Sequence, residues 1–264
     1  MTDSGTPGAR TFQGSGESYD RFMGRYSAPL AVAFCDALGV APGQDVLDVG
    51  CGPGALTAEL VRRLGAEHVT AIDPSESFVE ACRARHPGVD VRLGRAEQLP
   101  YEDGRFDAAL SQLVLHFVSD PETAAAEMRR VVRPGGIVAA SVWDLAEGMT
   151  MIRMFWDAAK TVRPTAPTEG ETRRFGRRGE IAELFRDAGL ADVTDSSLEV
   201  SAGYEDFDDF WTPFLTATGP AGAFVESLDE DAKDRLRAEL RDELGSPGGP
   251  FTLTARGWYA SGRV

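Results

Sequence analysis

The sequence of 264 residues is acidic, with 42 Asp and Glu against 27 Lys and Arg and a formal net charge of −15. Because this charge is spread along the chain, the surface repels phosphate backbones and anionic headgroups, so neither nucleic acid nor a membrane surface is expected as a partner. A hydrophobic content of 42% is enough for a substantial core, and we expect one domain.

The cysteines and the first residues indicate where the chain resides. Cys35, Cys51 and Cys82 are scattered and lack the paired spacing of a zinc site or a redox dithiol, which favours a reducing compartment and no metal. Residues 1–18 are polar and rich in Gly and Ser, with no apolar core of a signal peptide. We therefore expect a disordered tail at 1–18, a single domain at 19–264 and a cytoplasmic protein.

From residue 45 onward, short β-branched runs alternate with helix-like stretches. The pattern predicts strands at 45–49, 68–72, 89–93, 106–111 and 136–143, and helices at 55–64, 75–85 and 121–132. Strands separated by single helices imply right-handed crossovers and a parallel sheet with helices on both faces. The predicted fold class is therefore α/β, with a doubly wound sheet.

After residue 143 the alternation is interrupted twice. Residues 144–178 and 204–250 read as insertions, separated by a predicted helix at 179–188 and a strand at 192–200, and a strand at 251–259 follows. Aromatic residues stand in or next to both insertions: Trp143, Trp156, Phe175, Phe207, Trp211 and Phe214. They would either cover a substrate or form the core of the insertions, and the sequence leaves both open.

The segment from Val46 to Gly54 carries the main functional motif. An apolar strand, an acidic residue and three glycines stand directly before a predicted helix. Glycines let the backbone turn sharply and approach a ligand at the carboxyl end of the first strand, where open α/β sheets bind cofactors. An adenosine-containing cofactor is implied, although Gly50, Gly52 and Ala55 also satisfy the weak G-x-G-x-x-G/A dinucleotide spacing.

Asp48 separates the two classes of cofactor. A carboxylate two residues before the first glycine would repel a dinucleotide pyrophosphate, whereas it suits the ammonium and sulfonium charges of S-adenosylmethionine. Asp73 ends the second predicted strand, where it can accept hydrogen bonds from the ribose hydroxyls of either cofactor. An NAD(P)-dependent reductase is the alternative, but the sequence has no Tyr-x-x-x-Lys segment.

Ordered motifs at residues 46–54, 71–73, 94–101, 106–111, 115–116 and 133–136 make the sequence resemble the class I S-adenosylmethionine-dependent methyltransferases, in particular the subgroup of ubiquinone and menaquinone biosynthesis. The resemblance implies a mostly parallel seven-stranded Rossmann-like sheet and a helical insertion before the last strand. It also implies lid helices at 19–44, a cofactor-binding core at 45–143 and substrate-covering insertions at 144–178 and 204–250.

The resemblance also implies a role for individual residues along the cofactor. Those expected around the methionine moiety and the transferring methyl group are Asp48, Gly50, Cys51, Gly52, Ser111 and Gln112. Those expected around the ribose and adenine are Asp73, Pro74, Ser75, Ala96 and Glu97. Tyr19 and Arg25 of the lid would reach the cofactor carboxylate, since a guanidinium pairs well with it. Arg95 departs from the family, which often has an acidic or amide residue there.

These features predict methyl transfer from S-adenosylmethionine to a small molecule by in-line displacement, with S-adenosylhomocysteine as product. Such an enzyme contributes mainly positioning, and a general base only where the nucleophile must lose a proton. Of the three histidines, only His116 follows the fourth strand on the cofactor side, so it is the catalytic candidate; its other interpretation is local hydrogen bonding. A non-methylating reaction at the same cofactor site is a further alternative.

Overall fold

The computed structural model describes residues 20–166, 174–216 and 219–264, so the predicted tail at 1–18 and Tyr19 lie outside the described residues. Seven strands form one sheet: β1 Val46–Val49, β2 Val69–Asp73, β3 Asp90–Leu93, β4 Phe106–Gln112, β5 Val132–Trp143, β6 Ala191–Tyr204 and β7 Phe251–Arg263. Their order is β3-β2-β1-β4-β5-β7-β6, and β7 runs antiparallel to both of its neighbours. The predicted doubly wound, mostly parallel sheet is confirmed.

The helices connect and flank this sheet. They are α1 Arg25–Leu38, α2 Ala55–Leu64, α3 Glu76–Arg85, α4 Pro121–Val131, α5 Thr150–Val162, α6 Glu180–Asp187, α7 Phe207–Trp211, α8 Gly219–Glu226 and α9 Glu230–Glu243. A π-helical turn, Asp20–Gly24, precedes α1, and α7 to α9 form the helical insertion before β7. No helix within the described ranges is long and apolar enough to cross a bilayer.

Three strands are longer than the sequence predicts. β5 begins at Val132 instead of residue 136, because Val132 pairs with Phe106 and the Gly135 amide donates to the Val264 carbonyl (2.7 Å). β6 and β7 extend beyond their predicted ends because they pair with each other along almost their whole length. Local residue preference does not reveal such long-range pairing, and tertiary contacts override it.

The aromatic residues of the insertions form a hydrophobic core. Trp143, Trp156, Phe207, Trp211 and Phe214 are buried in one cluster, and Phe175 is buried in the cluster beside β4 and β5. Phe214 stacks on Phe155 with ring centroids 4.7 Å apart and meets Phe22 of the π-helical turn edge-on at 5.2 Å. Of the two interpretations that the sequence leaves open, the structure shows core packing, and this core joins the N-terminal segment to the insertions.

The centre of the sheet sets the stability of the molecule. Leu110 of β4 is fully buried, whereas Leu93 of the edge strand β3 is 56% exposed. We expect Leu110→Ala to lower the free energy of unfolding by about 2–5 kcal/mol, because it removes buried methyl groups and leaves a cavity. Leu93→Ala, the matched control, should change it by only about 0.5 kcal/mol. Urea denaturation of both variants measures the difference, and equal losses would contradict the assigned burial.

Candidate functional site

A cleft opens at the carboxyl ends of β1, β2 and β4 and encloses about 990 Å³ including its mouth. β1 has β2 on one side and β4 on the other, so the cleft lies where the strand order reverses, the position at which open α/β sheets bind ligands. Its lining comes from five segments of the chain: Ser27; Asp48, Gly50, Cys51, Gly52, Pro53, Ala55 and Leu56; Asp73, Pro74, Ser75 and Phe78; Gly94, Arg95, Ala96 and Glu97; and Gln112, Leu113, Val114, Phe117 and Val118.

Asp48 is a buried carboxylate in the wall of the cleft, 1% exposed. Its Oδ2 accepts a hydrogen bond from the Thr57 hydroxyl of α2 (2.6 Å), whereas its Oδ1 has no hydrogen-bond partner among the described residues. Burial, with a smaller contribution from the negative charge of Asp73, raises the pKa of Asp48 to about 7, although the hydrogen bond from Thr57 opposes this shift. A cationic group in the cleft would satisfy Oδ1 and favour the ionised form.

Asp73 ends β2 and closes the glycine turn against α3. Its Oδ2 accepts from the Gly52 amide (2.9 Å) and its Oδ1 from the Ser75 amide (2.8 Å). Burial raises its pKa to about 6, although these two amides oppose the shift. Each carboxylate oxygen has a second lone pair, so Asp73 can also accept hydrogen bonds from a vicinal diol in the cleft.

The glycine turn needs glycine for two reasons. Gly50 has φ +77°, and a Cβ there would lie 2.5 Å from the Val114 side chain, so a larger residue would displace the wall of the cleft. Gly52 has φ +53° and open space where a Cβ would be, so its backbone is free to approach a ligand. Cys51 lies between them and is buried.

Gln112 and Ser27 form the end of the cleft next to α1. The Gln112 side-chain amide donates to the Ser27 carbonyl (3.0 Å), and its Oε1 is buried without a hydrogen-bond partner in the described part of the chain. No sequence motif pointed to Ser27. Leu113 was also missed; it has φ +65°, a strained conformation for a branched residue that often marks a ligand site.

The opposite end of the cleft is formed by the segments that follow β2 and β3 and by residues beyond Val114. Pro74, Ser75 and Ala96 line it as the resemblance implies, and Glu97 also accepts from the Ser119 amide (3.2 Å). Phe78, Phe117 and Val118 complete this end, and no motif pointed to them. Arg95 is the one Lys or Arg among the described residues of the lining, so the wall as a whole carries more acid than base.

Arg25 and Ser111 do not line the cleft. Arg25 forms a two-pronged ion pair with Asp209 (2.9 and 3.1 Å) and donates to the Gly203 carbonyl (2.8 Å), so it joins α1 to the insertion instead of facing a cofactor carboxylate. Ser111 is 1% exposed and donates to the Val49 carbonyl (3.0 Å), which ties β4 to β1. The structure therefore corrects two predicted contacts. Arg25 is paired with Asp209 and not placed at a cofactor carboxylate, and Ser111 lies between β4 and β1 and not beside the methionine moiety.

His116 lies outside the lining of the cleft, two residues after Val114. Its Nδ1 is 2.7 Å from the Arg174 carbonyl and its Nε2 is 3.3 Å from the Trp143 carbonyl. Both ring nitrogens therefore face backbone oxygens, which matches local hydrogen bonding and corrects the catalytic assignment. Within the described ranges, no group of three or more His, Cys, Asp or Glu residues could hold a metal ion.

The residues of the cleft fit S-adenosylmethionine. The unpartnered oxygens of Asp48 and Gln112 are acceptors that an ammonium group can satisfy, and Asp73 is an acceptor for a ribose diol. The acidic wall does not fit a pyrophosphate, since Asp48 and Asp73 would both oppose its charge.

The buried charge of Asp48 predicts a pH-dependent stability. Its raised pKa means that the folded protein binds this proton more tightly than the unfolded chain does. The resulting stabilisation is present below pH about 4 and is lost as the pH rises through about 7. We expect the unfolding free energy of the wild type to fall between pH 4 and 8 by on the order of 1–3 kcal/mol relative to Asp48→Asn, in ligand-free urea titrations. Parallel profiles for the two proteins would contradict this.

Comparison with known proteins identifies a methyltransferase domain in the chain. Residues 47–140 match the family model described as a methyltransferase domain. An uncharacterised 37.1 kDa transposon protein of Streptomyces fradiae is 44% identical over 169 residues, which cover 59% of this chain and 46% of that protein. The chain thus spans about half the length of this relative.

Two further proteins match over most of both chains. Nocamycin O-methyltransferase of Saccharothrix syringae is 28% identical over 93% of this chain and 97% of its own length. The solved structure of a protein from Anaeromyxobacter dehalogenans, described as a type II methyltransferase, superposes with a TM-score of 0.63 at 24% identity, over 88% of this chain and 95% of that one. This last likeness concerns the fold alone. The matched domain, the relatives and the strand order together support a class I S-adenosylmethionine-dependent methyltransferase.

Proposed function

We propose that this protein transfers the methyl group of S-adenosylmethionine to a small-molecule acceptor and releases S-adenosylhomocysteine. The observation that carries the proposal is Asp48, a buried carboxylate that lines the cleft at the switch point of the sheet and has one oxygen without a partner among the described residues. A buried carboxylate without a counter-charge destabilises the fold, so a cationic ligand best explains its presence in the wall of the cleft.

The cofactor would lie along the cleft from Ser27 to Phe78. Asp48 and Gln112 would accept hydrogen bonds from the ammonium group of its methionine moiety, and the Gly50–Gly52 turn would pass beneath that moiety. Asp73 would accept from the ribose hydroxyls. The opposite end of the cleft, with Ala96 and Phe117, would hold the adenine.

The chemistry requires little from the protein beyond binding. When bound, the cofactor supplies a methyl group on a sulfonium, which is an excellent leaving group. The chain's residues would bind and orient the reactants and exclude water. In well-aligned reactions such positioning lowers the activation barrier by up to about 7–11 kcal/mol. No histidine stands among the described residues of the lining, which supports positioning over general-base catalysis.

The acceptor is proposed to be a small organic molecule. The net charge of −15 disfavours nucleic acid, and a relative matched over 97% of its own length is named nocamycin O-methyltransferase. We further propose that α1 and the insertion after β6 cover this molecule, because Ser27 of α1 reaches Gln112 and Arg25 joins α1 to the insertion.

A cytoplasmic location, expected from the isolated cysteines, stays a prediction.

The cofactor assignment is tested by calorimetric titration with S-adenosylhomocysteine. We expect saturable binding by the wild type, and a loss of about 1–3 kcal/mol in Asp73→Ala, or about five- to 150-fold in Kd, because the ribose hydroxyls lose their acceptor. Asp90→Asn on the exposed edge strand is the control and should bind like the wild type.

The same titration with NADH separates the two classes of cofactor. The proposal expects no binding of NADH, since Asp48 would oppose its pyrophosphate. Binding of NADH together with failure to bind S-adenosylhomocysteine would overturn the proposal. Transfer of a labelled methyl group from S-adenosylmethionine to candidate acceptors then tests the reaction itself.

A further inference from the structure

Three side chains at the carboxyl ends of β4 and β5 each have one buried polar atom without a hydrogen-bond partner among the described residues. Gln112, Ser141 and Trp143 are 8%, 0% and 4% exposed. Gln112 Oε1, Ser141 Oγ and Trp143 Nε1 each lack a partner among the residues that the structure describes. Protein interiors satisfy the great majority of such atoms, so three at one place indicate a polar group from outside the chain.

These side chains share one face of the sheet. Gln112 and Ser141 are register partners on the parallel strands β4 and β5, and Trp143 is two residues beyond Ser141. Because side chains alternate between the faces of a strand, all three point to the same side. Helix α1 covers that side: Gln112 donates to the Ser27 carbonyl, and Tyr26 meets Trp143 edge-on with centroids 6.2 Å apart.

The cluster is continuous with the cofactor cleft. Gln112 and Leu113 line the cleft, and the Leu113 amide donates to the Ser141 carbonyl (2.7 Å), which fixes Leu113 in its positive-φ conformation. Gln112 therefore stands between the cofactor cleft and the two residues of β5. A group held by this cluster would lie next to the methionine end of the cleft.

The chemistry of the three atoms selects one kind of ligand. An indole N–H only donates, an amide Oε1 only accepts, and a serine hydroxyl does both. A hydroxyl group complements this set, since it can donate to Gln112 and accept from Trp143. The neighbouring core residues Phe22, Met23 and Met149 are apolar, so a carboxylate or phosphate would be desolvated without a counter-charge.

We propose that Gln112, Ser141 and Trp143 form the acceptor subsite and that it takes a neutral hydroxyl group carried on an apolar, ring-containing molecule. The proposal rests on the function proposed above and deepens it, because it names the class of acceptor. Gln112 would serve both ligands, because an amide oxygen has two lone pairs.

The test uses two small probes and the protein saturated with S-adenosylhomocysteine. 1-Naphthol and 1-naphthoate share a ring system and differ in whether they carry a neutral hydroxyl or an anion. In calorimetric or ligand-observed NMR titrations, we expect 1-naphthol to bind and 1-naphthoate to bind about tenfold more weakly or not at all. Trp143→Phe keeps the ring but removes the N–H, and should weaken 1-naphthol binding by about five- to tenfold; Ser141→Ala should act in the same direction.

Trp258→Phe is the matched control. Trp258 Nε1 is also buried without a partner in the described chain, but Trp258 is the register partner of Val142 and so lies on the opposite face of the sheet. This variant should bind 1-naphthol like the wild type. Equal binding of the two probes, or equal effects of Trp143→Phe and Trp258→Phe, would overturn the subsite.

The affinity for S-adenosylhomocysteine, measured for every variant, keeps the two proposals apart. Unchanged cofactor affinity with the expected 1-naphthol pattern supports both. Normal cofactor affinity without that pattern removes the acceptor subsite alone, whereas a wild type that does not bind S-adenosylhomocysteine removes the proposed function and this inference with it. A Trp143→Phe variant that fails to fold leaves Ser141→Ala to decide.

Discussion

The buried carboxylate of Asp48 is the constraint around which this structure is organised. One oxygen is held by Thr57 of α2 and the other has no partner among the described residues, in a site that raises the pKa to about 7. An isolated buried charge is unfavourable by itself, so the surrounding fold must stabilise a conformation that the charge opposes. The central strands provide that stability, since β1 and β2 are buried along their whole length.

The same geometry would connect the proposed cofactor site to the proposed acceptor subsite. Asp48, the glycine turn and Asp73 lie at the ends of β1 and β2, whereas Gln112 and the residues of β5 lie on the other side of the switch point. Helix α1 crosses above them, and its contacts with the insertion run through Arg25 and through the hydroxyl contact between Tyr26 and Tyr204 (2.9 Å). Cofactor and acceptor would thus meet between a rigid sheet and a helix tied to the insertion.

The sequence predicts the parts of this arrangement that depend on local pattern. The alternation of strands and helices, the glycine turn and the positions of Asp48 and Asp73 follow from short segments. The parts that depend on partners distant in the chain are not visible there. The sequence predicts that Arg25 binds the cofactor carboxylate, because its partner Asp209 is 184 residues away in the chain. The lengths of β6 and β7 likewise follow from their pairing with each other. Ser27 and Ser141 have no motif, because their role comes only from what lies next to them in space.

The central claim is that the unpartnered oxygen of Asp48 binds the cationic end of the cofactor, and the pH dependence of binding tests it most directly. The ammonium group of S-adenosylhomocysteine would bind the ionised form of Asp48. Because the pKa of Asp48 in the free protein is about 7, the ionised fraction increases between pH 6 and pH 8. We expect its affinity to rise about tenfold from pH 6 to pH 8 in the wild type and by no more than about twofold in Asp48→Asn, where only Asp73, with a pKa of about 6, still titrates. Equal affinities at both pH values in the wild type, or the same rise in both proteins, would contradict it.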